Sequence, residues 1–341
     1  MGEPRKLLLY FAIPLRRVFL IEGRCLVLGG SGFLGSHLVE LLLEEGIRLR
    51  VYCRSANSYN RLASLEDKIE LVGGDIRASK VLAKAVEGCD YVFHLIGTTV
   101  PATSNLDPVF DIETNLSPAM RLLEVCVEAK VKQIIFPSSG GTVYGNAGSE
   151  PIPESHPAEP RSSYGITKLT IEKYLELFYR LHGLDYAILR IANAYGPGLP
   201  TRGEQNAVGA FLARLRRGEP IVVWGDGSVT RDYVYAKDVA RAFRAVLGQR
   251  SPYKVFNVGT GIGTTLRELI ACMEQVVGRR AQIIQQPGRQ IDVPVNILDP
   301  TLAREHVGWT PATSLEAGLI STWSWMEARE ARFPKVSWAR S

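Results

Sequence analysis

The sequence predicts an α/β fold, a doubly wound parallel sheet joined to a smaller α/β domain, on three observations. From Arg24 onward, short runs rich in β-branched residues alternate with helical patterns, as a parallel sheet flanked by helices requires. A glycine turn, Gly29-Gly30-Ser31-Gly32-Phe33-Leu34-Gly35, stands between the first such run and the first helical pattern. The chain has 341 residues, 46% of them apolar, enough to bury a sizeable core in about two domains.

The elements follow in order. Cys25 to Leu28 reads as a strand, and Phe33 to Glu45 as a helix ended by Gly46. Further strands are expected at Leu49 to Tyr52, Ile69 to Val72, Tyr91 to Leu95, Gln133 to Phe136 and Tyr186 to Arg190. Apolar residues at three- and four-residue spacing predict long helices over 115–129 and 163–181. Pro and Gly then cluster between Gly196 and Gly203, followed by a helix to Arg217, a strand Ile221 to Trp224 and a turn at Gly225-Asp226-Gly227. Helices from Leu266 to Val277 and around Leu315 to Ala328 complete the pattern, with no internal repeat. The expected division is an extension over 1–23, a Rossmann-type dinucleotide-binding domain over 24–190 plus about 233–260, and a smaller α/β substrate-binding domain over 191–232 plus 261–330.

Composition narrows the class of function. Forty basic and 35 acidic residues leave a net charge of +5, scattered along the chain, which argues against a nucleic-acid surface and suits an anionic small ligand. Five cysteines, Cys25, Cys53, Cys89, Cys126 and Cys272, are odd in number and widely spaced. No disulfide framework or metal site is readable, so no metal is expected and a reduced, cytoplasmic enzyme fits. The apolar run Leu7 to Leu15 is too short to span a bilayer, and no small-residue cleavage site precedes Gly23. A packed or poorly ordered extension is expected rather than a membrane-surface anchor; initiation at Val18 is a third reading.

The glycine turn predicts the cofactor site. Gly29 would permit the tight turn, Gly32 would let a pyrophosphate approach the backbone, and Gly35 would let the helix pack close. The free N–H groups of the helix start would receive the negative charge. Dinucleotide selectivity is set at the end of the second strand, where Cys53-Arg54-Ser55 carries no carboxylate. Arg54 and Ser55 could bind a 2′-phosphate, which argues for NADP, or Arg54 could stack on adenine and select nothing; NAD and NADP both stay open. Asp75-Ile76 is the next place for a carboxylate and an apolar side chain to hold the adenine ring.

Tyr164 and Lys168, four residues apart at the start of a helix, project from one face. The strand-end segment Phe136-Pro137-Ser138-Ser139-Gly140-Gly141-Thr142-Val143-Tyr144-Gly145 precedes them. This combination suits a phenolate that takes a proton from a sugar hydroxyl while hydride leaves the same carbon. A tyrosine with an ordinary pKa near 10 must be brought down to about 7 to serve as a base near neutral pH, which costs about 4 kcal/mol. One nearby ammonium lowers such a group by about one to three pH units. The positive nicotinamide of an oxidised cofactor would add the rest.

With these residues in hand, the chain resembles the extended short-chain dehydrogenase/reductase family, in its NAD-dependent sugar-nucleotide epimerase/dehydratase branch. The resemblance covers about residues 24–330 and rests on the glycine turn, Asp75, Asn115, the Ser138 to Gly145 segment, Tyr164 with Lys168, Arg190 to Pro197, Thr230 to Val234 and Arg289-Gln290-Ile291-Asp292. It implies that Tyr164 is the catalytic base and that Lys168 holds the nicotinamide ribose. It implies a cofactor lined by Phe33, Leu34, Asp75, Ile76, Gly97 and Thr98, with Asn115 and Ser138 beside it. Asn193 would contact the phosphate or sugar of the substrate, and Arg231 and Arg289 would grip its diphosphate. Structural salt bridges to Asp232 or Asp292 are the alternative for the two arginines. A homodimer formed through the two long helices is also implied.

Two departures inform the reaction. The family's hydroxyl partner of the tyrosine falls on Gly140, so Ser139 or Thr142 must supply the hydroxyl, or a substrate or water group does. The acid/base pair with which dehydratases of this branch eliminate water falls on Gly141 and Thr142, neither of which can do that work. The expected function is therefore 4-epimerisation of a nucleotide sugar, a UDP-hexose or UDP-N-acetylhexosamine, through a transient 4-keto sugar. An NADPH-dependent nucleotide-sugar reductase and a non-catalytic dinucleotide-binding scaffold are the alternatives.

Overall fold

The structure, a computed structural model, describes residues 21–54, 62–148, 151–200, 206–288 and 293–332. The first half runs β1 (Arg24–Leu28), α1 (Phe33–Glu44), β2 (Arg48–Cys53), β3 (Glu70–Gly73), α2 (Ser79–Val86) and β4 (Tyr91–His94). Two short helices, α3 (Pro101–Ser104) and α4 (Pro108–Asp111), lead through a π-turn at Ile112–Leu116 into α5 (Ser117–Glu128). Then come β5 (Gln133–Ser139), the single turn α6 (Gly140–Val143), α7 (Ser163–His182) and β6 (Asp185–Ile191).

The second half begins with β7 (Asn193–Tyr195), α8 (Ala207–Arg217), β8 (Ile221–Trp224), β9 (Thr230–Tyr235), α9 (Ala236–Val246) and β10 (Val255–Val258). It closes with β11 (Gly263–Thr265), α10 (Leu266–Val277), β12 (Ile283–Gln286), β13 (Val295–Asn296), α11 (Thr301–Val307) and α12 (Leu315–Arg332).

Seven strands form one sheet in the order β10-β6-β5-β4-β1-β2-β3, and every pairing in it is parallel. The strand order reverses between β1 and β4, which opens a crevice at their carboxyl ends where ligands of such sheets bind. Alternation along β1 feeds two cores. Cys25 and Val27 face α1 and α9 through Leu38, Val39 and Phe243, while Leu26 and Leu28 face α2, α5 and α7 through Val86, Leu122 and Ile171. This is the parallel, doubly covered sheet that the alternating pattern predicts.

A second sheet pairs β9 with β7, β11 and β13, and β12 pairs β8 separately. Tyr195, Tyr233 and Tyr235 from this sheet pack with Leu212 of α8, Leu269 and Met273 of α10 and Leu319 of α12. Sequence patterning misses β7, β9, β10, β11, β12 and β13, which have two to six residues each and show little periodicity on their own. It misses α2, α9 and α11 as well, and it runs one continuous helix over 115–129, where a π-turn precedes α5.

A buried pair locks α7 onto the sheet. Arg190 of β6 bonds Glu172 of α7 through two nitrogens, at 2.7 Å for the shorter contact, and its guanidinium lies 4.8 Å from the Tyr144 ring centre. Tyr144 in turn donates to Asn257 of β10 at 2.7 Å. Both side chains are almost wholly buried, so the pair's value lies in fixing register among α7, β6 and the turn after β5.

Candidate active site

The glycine turn has the geometry that a dinucleotide requires. Gly29 sits at φ +81°, and the Gly32 N–H donates to the Gly29 carbonyl at 2.9 Å. A Cβ on Gly35 would run into the Gly29 carbonyl and come within 2.7 Å of the Gly30 Cα, so only glycine lets α1 start this close to the turn. The Gly32 Cβ position meets nothing but the Gly29 carbonyl and is otherwise open. Gly32 is the N-cap of α1 and leaves the first N–H groups of the helix without a side-chain cap. Leu34 packs on the first core, and Phe33 reaches the core of the second sheet.

At the end of β2, the Cys53 side chain is buried, and burial pushes its thiol up against a smaller lowering pull from Ser31. Arg54 is exposed, and Ser55 lies outside the described residues. Asp75 is bound by the Arg77 guanidinium through Nε at 3.0 Å and by the Arg77 N–H at 2.9 Å, which holds its carboxyl down at about 2. Arg54 adds a smaller pull in the same direction. Ile76 beside it is buried in the second core.

Tyr164 and Lys168 stand on the first turns of α7. Ser162 caps the helix by accepting from the Gly165 N–H, and Asn105 and Ser104 accept from the N–H groups of Ser163 and Tyr164 at 2.8 and 3.0 Å. Lys168 donates to the Pro137 carbonyl of β5 at 2.9 Å, and its Nζ lies 4.5 Å from the Phe136 ring centre and 5.6 Å from that of Tyr164. Burial pushes the Lys168 ammonium down to about 8, against the raising pull of Glu172 and Asp111. Burial and the Asp111 charge push the Tyr164 phenol up to about 12. The chain's own groups thus hold Tyr164 as a phenol, and a further positive charge beside it is needed to make it a base.

Beside this pair, His94, Asp111, Asn115, Tyr164, Thr167 and Lys168 share an enclosed cavity of about 10 Å³. His94 ends β4 fully buried and is pushed down to about 3 by burial, with a smaller push from Lys168, so it is neutral. Asn115 accepts from the Thr98 N–H at 2.9 Å and donates to Thr99 and to Asp111, fixing the loop Gly97-Thr98-Thr99 that follows β4.

The turn after β5 shows why Gly140 is glycine. A Cβ there would fall within the Leu298 side chain, and Asn296 donates to the Gly140 carbonyl at 3.1 Å. The strand β13 and the residues just after it thus fill the space in which the expected hydroxyl side chain would stand. The Thr142 and Ser138 hydroxyls are buried and find no partner among the described residues, while Ser139 is half-buried. An unpaired buried hydroxyl is costly unless a ligand completes it.

In the second sheet, Asn193 donates to the Asp232 carbonyl at 3.2 Å, which places it next to Arg231. The Asp232 carboxylate accepts from the N–H groups of Thr260, Gly261 and Leu298 and from the Thr260 hydroxyl. It is committed to that backbone nest, and Arg231 donates to the Thr230 carbonyl at 2.9 Å. Arg289 and Asp292 lie outside the described residues. Among the described residues no cluster of His, Cys, Asp and Glu could hold a metal, and no helix is long and apolar enough to cross a membrane. Sequence reasoning missed Asp111, His94, Asn296 and Leu298; the only local signal was Asp111 standing four residues before Asn115 on one helical face.

Comparison with known proteins agrees with this geometry. The model of the NAD dependent epimerase/dehydratase family matches residues 25–259. The chain belongs to that family. It is 36% identical over 303 residues to the UDP-glucose 4-epimerase of Mycolicibacterium smegmatis, covering 88% of this chain and 97% of that one. The crystal structure of UDP-glucose 4-epimerase from Thermotoga maritima, with UDP-glucose, superposes at a TM-score of 0.84 with 37% identity, covering 90% of this chain and 99% of that one. The Thermus thermophilus UDP-glucose 4-epimerase, a complex with NAD, superposes at 0.83 with 31% identity, covering 89% and 99%. The seven-stranded parallel sheet is the fold that this family shares with those neighbours.

Proposed function

We propose that this protein is a nucleotide-sugar 4-epimerase acting on a UDP-hexose or UDP-N-acetylhexosamine, with Tyr164 as base. The observation that carries the choice of reaction is the turn α6, Gly140-Gly141-Thr142-Val143, which sets no carboxylate beside the catalytic pair. Loss of water needs an acid and a base at that place; epimerisation needs only one proton-transferring group and a hydride acceptor that returns what it takes. Reductases and decarboxylases also appear among the relatives, and the same turn does not separate them from an epimerase. The 4-epimerase reading over these rests on the named relatives.

The residues fit a dinucleotide, because the Gly29 to Gly35 cradle excludes side chains where a pyrophosphate would lie. Bound NAD would accept hydride from the sugar C4 and return it. The chain does the rest. Gly32 and the start of α1 hold the pyrophosphate, and Phe33, Leu34, Ile76, Gly97 and Thr98 surround the cofactor. Lys168 binds the nicotinamide ribose and keeps a positive charge beside Tyr164, whose phenolic oxygen takes the proton of the C4 hydroxyl and gives it back. Thr142 orients that hydroxyl in place of the side chain absent at Gly140, and Ser139 is the second candidate. Arg231, Arg289 and Asn193 hold the diphosphate end, which leaves the sugar ring free to present its other face.

The end of β2 supports a wider cofactor range than NAD alone, since Cys53 is buried and Arg54 is exposed where a 2′-phosphate would lie. A homodimer through α5 and α7 is supported by the apolar surface of Phe110, Ile112, Ile166, Leu177 and Leu181 on α7 and the segment leading into α5. Sedimentation velocity tests it: a monomer at micromolar concentration contradicts it. Function itself is tested by denaturing the purified protein and analysing the released small molecules by mass spectrometry. Stoichiometric dinucleotide supports the epimerase; none, together with activity on added NADPH, supports a reductase.

A further inference from the structure

Asp111 ends α4, fully buried, and four side-chain donors converge on its carboxylate. Ser163 and Thr167 of α7 donate at 2.8 Å each, Asn115 donates at 3.0 Å, and the Thr99 hydroxyl makes a very short contact. Only a group that is acceptor on both oxygens can receive four donors; an amide would turn its own NH₂ toward two of them. No salt bridge to Asp111 forms among the described residues, and the four hydrogen bonds to its carboxylate all come from neutral groups.

The charged and titratable groups around the pair can be taken element by element. On α7 itself, Glu172 is committed to Arg190. From β4, His94 is neutral. From β5 come only the Pro137 carbonyl and the Phe136 ring. Asp111 is the one carboxylate in this group without a cationic partner, and it lines the same cavity as Tyr164 and Lys168.

We propose that Asp111 is a positioning residue for the Tyr164–Lys168 pair, its buried carboxylate tying the first turn of α7 to the loop after β4 and presenting the negative charge that the Lys168 ammonium faces. The proposal rests on the reading of Tyr164 and Lys168 as the catalytic pair. Without the charge, the buried ammonium loses its proton more readily and the phenol ionises more readily. Both apparent pKa values of the pH–rate bell then move toward acid.

The test uses the cofactor-loaded enzyme and compares Asp111→Asn, Ser163→Ala/Thr167→Val and Tyr164→Phe with the unaltered chain. Asp111→Asn is expected to lower both apparent pKa values of kcat by about one unit and kcat at neutral pH by about tenfold or more, with KM changed by less than about threefold. Ser163→Ala/Thr167→Val keeps the charge and removes two anchors, so kcat should fall with both limbs in place. Wild-type limbs in Asp111→Asn overturn the proposal. If Asp111→Asn does not fold, unchanged kcat in the double variant overturns it instead. Full turnover in Tyr164→Phe would fail the reading of the pair itself, a result distinct from either.

Discussion

Leu298 occupies the space that a side chain on Gly140 would need, and Asn296, two residues earlier, holds the Gly140 carbonyl. The glycine and the leucine are one packing unit, formed by the turn after β5 and the segment following β13. Gly140→Ser should therefore not restore a hydroxyl to the site; it should overpack it, destabilising the protein by about 1–3 kcal/mol in urea unfolding. Adding Leu298→Ala should relieve the clash and recover part of that loss beyond additivity.

The hydroxyl that orients the sugar should belong to Thr142. Its oxygen is buried with no protein partner among the described residues, whereas Ser139 is half-buried. Thr142→Val keeps the shape and is expected to lower kcat by about 10²-fold, the usual cost of losing one donor that acts in the transition state. Ser139→Ala should stay within about threefold of wild type. Steady-state kinetics on the purified variants decides between them.

Lys168 is held near 8 against an ordinary 10.5. In the unfolded chain it binds its proton more tightly than in the folded one, so it opposes folding. That opposition is complete below about pH 8 and fades as pH rises toward 10.5, where both states are neutral. Lys168→Met should abolish turnover yet raise unfolding stability at pH 7, and the gain should shrink by about pH 10. Urea denaturation at the two pH values measures it; a loss of stability at pH 7 would contradict the assignment.

The end of β2 makes a prediction about cofactor choice. With Cys53 buried and Arg54 exposed, NADP should bind within about tenfold of NAD. Arg54→Ala should weaken NADP by about tenfold and leave NAD nearly unchanged, and Cys53→Asp should repel the 2′-phosphate. Fluorescence titration of the cofactor-stripped protein reads both affinities directly.

Much of this site was legible because it is local in sequence. The glycine turn joins β1 to α1 within seven residues, and Tyr164 and Lys168 share one helical face, while their roles are what the resemblance to the family implies. The parts that escaped are tertiary. Asp111 gains its meaning from Ser163 and Thr167, more than fifty residues away, and Leu298 from Gly140, more than 150 away. Short strands such as β11 and β13 carry too few residues to show alternation and exist because β9 offers them a partner. The absence of a family hydroxyl at Gly140 was visible in the sequence, but its cause was not, since a leucine filling a neighbour's place leaves no local pattern.

The most direct measurement incubates the purified protein with UDP-glucose and, separately, UDP-N-acetylglucosamine, with no dinucleotide added, and follows the 4-epimers by anion-exchange chromatography. The account predicts approach to an equilibrium mixture of epimers from either side for at least one pair, with no net change in nicotinamide absorbance and none of the conversion in Tyr164→Phe. Turnover that appears only with stoichiometric NADPH and stops when it is consumed would contradict it.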